Sequence, residues 1–344
     1  MTRFLSDATV RHLRRVAEWP DLGETKYRLL DELGRGGMGT VYLAEDTVLG
    51  RRVALKVLGL AAAPAGAVDR MWNEARILAR LEHPGIVPVH DAGALPDGRI
   101  YYAMKRVDGH RLDALAPSLS RAERLRAFQR ICEAVAFAHA RGVVHRDLKP
   151  ENVMVGPFGE ILVMDWGVAK ALGEAAAIAP PGAAPRPDAT AAGAVVGTPA
   201  YMAPEQAEGA SERIGPAADV YGLGAILYFL LSDHPPFDVE RAQARARGAS
   251  RAEPEPLRPR DPSVAPALEA IVRRAMALDP LQRYASAEDL SADVARYLDG
   301  ERVLAHEEGF VERARRVVVR YRTAILIVLA YVVVRAALLL FGRR

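Results

Sequence analysis

Cysteine and lysine are among the residues that this sequence uses least. A single cysteine, Cys132, excludes an intramolecular disulfide framework and any zinc site built from several cysteines. Only five of the 46 basic residues are lysines, so a lysine in a motif is informative. Residues 1–300 carry 37 basic and 39 acidic residues, whereas residues 301–344 carry nine arginines and four glutamates. The body of the chain is therefore a poor nucleic-acid binder, and we expect no nucleic acid among its partners.

Before the C-terminal tail, the chain has no apolar run long enough to cross a membrane. The first 25 residues lack the apolar core of a secretory signal. Residues 220–231 are uncharged, but twelve residues are too few to span a bilayer, so they predict a buried core helix. Residues 171–196 contain eighteen Ala, Pro or Gly out of 26, a composition that predicts a mobile loop.

Hydrophobic patterning divides the rest of the chain into a β-rich part and a mainly helical part. Short β-rich runs predict strands at Tyr27–Leu33, Thr40–Ala44, Val53–Leu58, Ile86–His90 and Ile100–Met104. Apolar residues at helical spacing predict a helix over residues 68–81 and a long amphipathic helix at Arg121–Arg141, which Gly142 ends. After residue 109 the pattern is mostly helical.

A glycine-rich turn and a lysine lie within the first predicted strands. Residues 34–39 fit G-x-G-x-x-G, and glycines there let backbone N–H groups approach phosphate oxygens. The turn opens no helix, which argues against a dinucleotide-binding fold. Lys56 lies in an apolar strand, where it is costly unless it meets an anion; the alternative is an edge lysine with a solvated head. Glu74 on the next helix offers an opposite charge.

Residues 144–152, Val-His-Arg-Asp-Leu-Lys-Pro-Glu-Asn, are dense in polar groups between two apolar runs. A solvated turn would explain that density, but not the Asp165-Trp166-Gly167 that follows the next predicted strand. Phosphoryl transfer needs a carboxylate to orient a hydroxyl, a cation at the phosphate and oxygen ligands for Mg²⁺. This part of the chain supplies a candidate for each.

Three later motifs follow in order: Gly-Thr-Pro-Ala-Tyr-Met-Ala-Pro-Glu at 197–205, Asp-Val-Tyr-Gly-Leu-Gly at 219–224 and Asp-Pro-Leu-Gln-Arg-Tyr at 279–284. Together with the earlier motifs, they make the chain from about Tyr27 to Tyr297 resemble a bacterial eukaryotic-like (Hanks-type) Ser/Thr protein kinase. The resemblance implies an α+β, two-lobed fold, with an N-lobe at about 26–104 and a C-lobe at about 105–300. It also implies transfer of the γ-phosphoryl group of Mg-ATP to Ser or Thr hydroxyls of protein substrates.

The resemblance further implies which residues form the site. Three glycines would cover the ATP phosphates: Gly34, Gly36 and Gly39. Lys56 would pair with the α- and β-phosphates and be held by Glu74, and Lys149 would lie near the γ-phosphate. Asp147 would be the catalytic carboxylate, while Asn152 and Asp165 would hold Mg²⁺. The adenine slot would be lined by Leu33, Val41, Ala54, Met104 and Met154. The hinge behind it would run from Lys105 to Val107.

The resemblance also predicts how the activity would be regulated. Arg146, directly before the catalytic carboxylate, is typical of kinases whose activation loop is phosphorylated. Thr190, the one hydroxyl residue between 168 and 196, is the predicted autophosphorylation site, and Thr198 is predicted to contact the catalytic loop. Trp166 replaces the usual phenylalanine and needs a partner for its N–H.

Five residues are predicted to be structural. His145 and Cys132 are expected to be packed in the core. Asp219 is expected to cap the buried helix and to steady the catalytic loop from below. Glu205 and Arg283 resemble the buried ion pair of the family.

The tail differs from the rest of the chain. Residues 323–341 are apolar except for Arg335, and 19 helical residues cover about 28 Å, close to the hydrocarbon thickness of a bilayer. Five arginines stand just before this stretch and two after it, which predicts a single-pass cytoplasmic-membrane protein whose kinase domain faces the cytoplasm. The alternative is an amphipathic surface helix. Residues 1–25 and 301–322 would then be an N-terminal segment and a basic juxtamembrane segment.

Two other functions fit part of this pattern. A membrane-tethered pseudokinase or scaffold would bind nucleotide or a partner without turnover, but such proteins usually lack a residue of the set Lys56, Glu74, Asp147, Asn152 and Asp165. The interpretation as a small-molecule phosphotransferase is less favoured, because residues 197–205 resemble a segment that supports protein substrates in the family. A homodimer is a further assembly that we consider.

Overall fold

The computed structural model describes residues 19–36, 39–58, 67–166, 170–171, 199–208, 214–246, 252–310, 312–313 and 322–341. Thr190, Thr198 and all but the first residue of the predicted loop at 171–196 lie outside these residues. Residues 1–18 of the predicted N-terminal segment and residues 311 and 314–321 of the predicted juxtamembrane segment lie outside them too.

The N-terminal part of the described chain is a five-stranded antiparallel sheet with one helix packed on it. In chain order the elements are β1 (Tyr27–Gly36), β2 (Gly39–Asp46), β3 (Arg51–Leu58), α1 (Ala67–Arg80), β4 (Val89–Ala94) and β5 (Ile100–Lys105). The strand order is β1-β2-β3-β5-β4, so β3 lies at the centre of the sheet. Strands β1, β2, β3 and β5 agree with the predicted strands, although each extends beyond its predicted bounds.

Alternation along the central strands gives the sheet two different faces. One face bears Tyr42, Leu55 and Tyr101, which form a small core that Leu22 joins. On β3 and β5, antiparallel pairing places Ala54 opposite Met104 and Lys56 opposite Tyr102, and directly opposed residues share a face. Tyr102 packs in the larger core with residues of α1, so this second face is the one turned toward the helix.

The predicted strand at Ile86–His90 is wrong in its position. Strand β4 begins at Val89, and Ile86 makes only an isolated bridge to Val163. Ile86 and Val87 are nevertheless buried, because this connection crosses the larger core, where the N–H of Val163 donates to the carbonyl of Gly85 at 2.8 Å. The apolar residues at the start of the predicted strand are apolar because they are buried, not because they form a strand. Hydrophobicity alone does not distinguish these two cases.

The C-terminal part is mainly helical. Its helices are α2 (Leu112–Leu115), α3 (Arg121–Ala140), α4 (Pro204–Ala207), α5 (Pro216–Ser232), α6 (Val239–Ala246), α7 (Pro266–Ala275) and α8 (Ala287–Leu298). Short strands complete it: β6 (His110–Arg111), β7 (Val143–Val144), β8 (Val153–Val155), β9 (Ile161–Val163) and β10 (Lys170–Ala171). The pairs β6-β8-β9 and β7-β10 bracket the polar stretch of residues 145–152, which therefore lies on a fixed scaffold.

Helix α3 begins and ends where its sequence signals predict. Ser120 caps it through a capping box with Glu123, and Gly142 follows its last turn with a φ of 71°, a conformation that favours glycine. Cys132 is fully buried on this helix, as predicted, and burial raises the pKa of its thiol well above the ordinary value. The thiol is therefore protonated and chemically quiet.

Helix α5 is the centre of the helical core. Every residue from Ala218 to Leu231 is buried, as the uncharged run predicts. Gly224 lets this helix approach α7 closely, because a β-carbon there would stand 2.7 Å from the side chain of Ala275. Beside α5, the buried carboxylate of Glu205 accepts two bonds from Arg283 at 2.7 and 2.9 Å, which is the expected ion pair.

The residues after α8 are fastened to the core through Asp293. Its fully buried carboxylate accepts bonds from the backbone N–H groups of Leu304 and Ala305, at 2.8 and 3.0 Å, and from the hydroxyl of Tyr284 at 2.9 Å. Farther along, α9 covers Arg322–Phe341. Over the described residues, no helix is long and apolar enough to cross a membrane.

Candidate active site

A lysine and a glutamate meet between the sheet and helix α1. The ammonium of Lys56 lies 2.8 and 2.9 Å from the two carboxylate oxygens of Glu74. Glu74 is only 2% exposed and is therefore not an ordinary surface glutamate. Burial by itself lowers the pKa of Lys56, but the carboxylates of Glu74 and Asp165 more than offset it, and the pKa lies above its ordinary value. The side chain of Lys56 is therefore protonated and positively charged at neutral pH.

Asp165 brings a second carboxylate to the same ammonium. Its Oδ1 lies 3.4 Å from Nζ of Lys56, and its side chain is half exposed. Burial raises the pKa of Asp165, but the charge of Lys56 outweighs this, and the pKa lies below its ordinary value. The backbone of Asp165 has a φ of 59°, a conformation that Asp tolerates better than most residues. The result is an ionised oxygen ligand at the mouth of the site.

Trp166 fixes the segment that carries Asp165. Its ring is fully buried and packs against His145, with the two ring centres 4.5 Å apart. Its N–H donates to the carbonyl of Val163 at 3.4 Å, so the partner that the larger residue requires is present. His145 is also fully buried, with one ring nitrogen 3.0 Å from the carbonyl of Met164. These contacts agree with the packed histidine that the sequence predicts.

The catalytic loop gathers three polar side chains into one network. Nζ of Lys149 lies 2.7 Å from Oδ2 of Asp147, and the amide nitrogen of Asn152 donates to the same oxygen at 3.1 Å and to the carbonyl of Asp147 at 2.8 Å. The amide nitrogen of Asn152 is thus used within the loop, and its amide oxygen is the atom available to a cation. The network holds the carboxylate of Asp147 in one orientation.

Asp219 supports this loop from below, but not in the predicted way. Helix α5 begins at Pro216 with Gly215 as its cap, so Asp219 lies inside the first turn and does not cap the helix. Instead, its buried carboxylate accepts bonds from the backbone N–H groups of His145 and Arg146, both at 2.8 Å, and from the ring of His139 at 2.7 Å. One carboxylate thus joins α3, α5 and the catalytic loop.

Burial raises the pKa of Asp219, yet these hydrogen bonds and the nearby histidines outweigh burial and hold the pKa below its ordinary value. The carboxylate is therefore ionised at neutral pH.

The glycine turn lies at the edge of the sheet between β1 and β2. A β-carbon at Gly39 would stand 2.2 Å from the carbonyl oxygen of Val57, so only glycine fits against β3. At Gly34 a β-carbon would meet no atom within 4 Å, and at Gly36 it would meet only a backbone oxygen at 3.9 Å. These two positions thus leave open space beside the backbone, as a phosphate cradle requires.

The predicted adenine-slot residues come from both lobes. Ala54 and Met104 are directly paired across the sheet, and Leu33 is half exposed at the end of β1. Val41 and Met154 are half-buried on β2 and β8. In the hinge, Lys105 is exposed and Val107 half-buried, and the Arg106 between them forms an ion pair with Asp108.

A recess next to the catalytic loop is lined by Arg146 together with Tyr201, Met202 and Gln206. The carbonyl of Arg146 accepts a bond from the side chain of Gln206 at 2.7 Å, and its φ of 70° is unusual for a residue with a side chain. The loop and the segment after residue 199 are therefore joined at Arg146. Its predicted response to a phosphate stays a prediction, since Thr190 and Thr198 lie outside the described residues.

The assembled residues fit Mg-ATP. Open space at two glycines, a fixed ammonium at Lys56 and the oxygens of Asp165 and Asn152 supply a phosphate cradle and hard ligands for Mg²⁺.

One residue of the site was not predicted. Tyr102 lies directly opposite Lys56 on β5, and its hydroxyl donates to Oε1 of Glu74 at 2.8 Å. The signal was present in the alternation of β5, because a residue two positions before Met104 must share its face. Its partner on α1 could not be known without the packing of the helix.

The comparisons with known proteins agree with this geometry. Residues 27–294 match the family model described as the protein kinase domain. The chain is 38% identical over 290 residues to a probable serine/threonine-protein kinase of Streptomyces coelicolor, SCO3848, covering 81% of this chain and 41% of that protein. It is 38% identical over 284 residues to PknB of Mycolicibacterium smegmatis, covering 80% of this chain and 43% of that one. The kinase domain of Mycobacterium tuberculosis PknI superposes with a TM-score of 0.60 at 29% identity, covering 79% of this chain and 96% of that domain.

The chain therefore belongs to the protein kinase family. Within it, the chain is of the bacterial Hanks type, like the Ser/Thr kinases to which it is similar. It spans less than half the length of these curated relatives.

Proposed function

We propose that this chain is an ATP- and Mg²⁺-dependent Ser/Thr protein kinase. The observation that carries the proposal is the completeness of the site. The Lys56–Glu74 ion pair is closed, Asp165 adjoins it, and Asp147 is held by Lys149 and Asn152. Further support comes from similar proteins that are named as Ser/Thr kinases.

The chemistry assigns one task to each side chain. The substrate hydroxyl oxygen bonds to the γ-phosphorus as the bond between that phosphorus and the β,γ-bridging oxygen breaks, and ADP leaves. Asp147 accepts the hydroxyl proton, and Lys149 stabilises charge on the transferred group. Lys56 holds the α- and β-phosphates in place. A magnesium ion held by Asp165 and Asn152 would neutralise phosphate charge.

The first test is transfer of labelled phosphate from Mg-ATP by the full chain, with a generic Ser/Thr protein substrate present. Asp147→Asn is the comparison variant, because it keeps the shape and removes the proton acceptor. We expect label on Ser or Thr with the wild type and a loss of about 10²–10⁴-fold in the variant. No transfer by a folded wild-type chain that binds ATP would support the pseudokinase instead, which the complete set of site residues does not favour.

Activation-loop autophosphorylation at Thr190 is a further part of the proposal. It rests on the Arg146 that precedes Asp147 and on the scarcity of hydroxyl residues between 168 and 196. Phosphosite mapping after incubation with ATP checks it, and an active chain with an unmodified Thr190 would contradict it.

Membrane attachment through residues 323–341, with the kinase domain on the cytoplasmic side, is also proposed from the sequence. It is supported by the flanking arginines and by the exposed apolar side chains of helix α9, among them Leu326 and Ile327. Extraction of membranes with carbonate at high pH checks it: release of the chain would favour the amphipathic surface helix. The homodimer stays a prediction that sedimentation of the full chain can test.

A further inference from the structure

Tyr102 is placed where it can act on the ion pair that positions ATP. It comes from β5, whereas Lys56 comes from β3 and Glu74 from α1, so the three side chains tie three separate elements together. The phenol oxygen lies 2.8 Å from Oε1 of Glu74, and the ammonium of Lys56 lies 5.6 Å from the centre of the tyrosine ring. Tyr102 and Glu74 are each only 2% exposed.

The hydrogen-bond inventory of Glu74 shows why a hydroxyl matters here. A carboxylate has more acceptor positions than one ammonium can fill, and a buried one is costly unless donors fill them. Lys56 donates to both oxygens of Glu74, and the hydroxyl of Tyr102 adds another donor on Oε1. Burial and the adjacent Glu74 raise the pKa of Tyr102 well above its ordinary value, so the phenol keeps its proton and remains a donor.

The two partners of Glu74 differ in how well they can restrain helix α1. Lys56 reaches Glu74 through a long side chain with several rotatable bonds, and it also faces Asp165 at 3.4 Å, so its ion pair with Glu74 restrains the ammonium more than the backbone of α1. The tyrosine ring is packed in the core, and its hydroxyl is therefore a fixed point on the sheet. A bond from a fixed point restrains α1 itself.

We propose that Tyr102 is a positioning residue that holds Glu74, and with it helix α1, in the arrangement in which Lys56 is directed at the ATP phosphates. This deepens the proposed kinase function and rests on it. A simple packing role is the competing explanation, since the ring also fills the core beneath α1. The two differ in what the loss of the hydroxyl alone would do.

The test is Tyr102→Phe in the full chain, which removes the hydroxyl and keeps the ring. Tyr101→Phe is the matched control: it is the neighbouring tyrosine, buried on the other face of the sheet and packed edge-on against Tyr27. A lost hydrogen bond to a charged group corresponds to about tenfold or more in an equilibrium. We expect kcat/KM for ATP to fall about tenfold in Tyr102→Phe and to stay within about twofold of wild type in Tyr101→Phe.

Two further measurements separate positioning from packing. Hydrogen exchange of the α1 amides should speed up about tenfold in Tyr102→Phe, with α3 as the internal reference, and stay unchanged in Tyr101→Phe. In a Glu74→Ala background, adding Tyr102→Phe should lower kcat/KM no further, because the group on which it acts is gone.

Each outcome has one meaning. If the wild type transfers no phosphate, the proposed function fails, while the exchange measurement still decides whether Tyr102 restrains α1. If the wild type is active and Tyr102→Phe matches it in both activity and α1 exchange, the inference is overturned. It is also overturned if the loss of activity is as large without Glu74 as with it.

Discussion

Asp219 offers a sharp test of how the fold supports the site. Replacing it with asparagine keeps the size of the side chain and removes its charge. One carboxylate oxygen now accepts bonds from His139 and from the N–H of His145, and the other accepts from the N–H of Arg146. Whichever way the amide is turned, its NH₂ group faces a backbone N–H, so at least one hydrogen bond is lost and the others weaken.

The magnitude follows from those bonds. A hydrogen bond to a charged group contributes about 1.5–3 kcal/mol, and leaving a buried donor without an acceptor has a cost of similar size. We therefore expect Asp219→Asn to lower the free energy of unfolding by about 3 kcal/mol or more. For a domain of this size that corresponds to a fall in Tm of roughly 6–12 °C.

Asp219→Asn should also slow phosphate transfer, because His145 and Arg146 directly precede Asp147. A displaced catalytic carboxylate should lower kcat by about tenfold or more at a temperature where the variant is still folded. The assays are thermal unfolding of the full chain and phosphate transfer at saturating ATP. Both need the same preparation of protein.

The matched control is Asp233→Asn, at the end of the same helix. Asp233 is exposed and has a φ of 58°, which asparagine also tolerates, and an asparagine oxygen can still accept a hydrogen bond from Arg124, so this variant should unfold within about 1 kcal/mol of wild type. If Asp219→Asn were as stable as Asp233→Asn and equally active, the account of Asp219 as the support of the catalytic loop would be refuted.

Three more predictions address stability. Arg283→Met leaves the buried carboxylate of Glu205 without its positive partner and should lower the free energy of unfolding, measured by urea denaturation, by about 3–5 kcal/mol. As the control, Arg241→Met removes one partner of an exposed ion pair and should change that free energy by less than about 1 kcal/mol. Gly224→Ala places a β-carbon 2.7 Å from α7 and should lower stability by about 1–2 kcal/mol in the same assay, and no loss would mean that the two helices can move apart freely. The pKa of Asp219 is lower in the folded protein than in the unfolded chain, so the stability that its carboxylate contributes is present above about pH 4 and is lost as the pH falls through the pKa of the folded state. The Tm difference between wild type and Asp219→Asn should therefore shrink on acidification. A Tm difference that stays constant with pH would contradict this prediction.

The sequence predicted the residues of the site better than the contacts that hold them. Lys56, Glu74 and Asp165 come together as the motifs imply, because a buried lysine needs an anion and the motif order fixes the chain path. The sequence correctly predicts that Asp219 lies beneath the loop, but the predicted role as a helix cap is wrong. A carboxylate near a helix start has local and distant donors to choose from, and only the packing of α5 against the loop decides between them.

Tyr102 and Ile86 illustrate the same limit in different ways. The period of β5 indicates which face Tyr102 lies on, but its bond to Glu74 depends on where α1 packs. Ile86 has the apolar neighbours of a strand residue, yet its burial comes from a connection that crosses the core. In both cases the deciding interaction joins residues that are distant in sequence, which local patterning does not record.

The tryptophan that follows Asp165 gives the chain an optical property. Trp166 is fully buried against an imidazole ring, whereas Trp19 and Trp72, the other two indoles of the sequence, are only partly buried. Its fluorescence depends on the polarity around the ring, and the nearest ring is the imidazole of His145, 4.5 Å away between centres. With phenylalanine at the other two positions, the emission would come from one ring attached to the segment that carries Asp165. Movement of that segment could then be followed in solution, in real time and without an added dye.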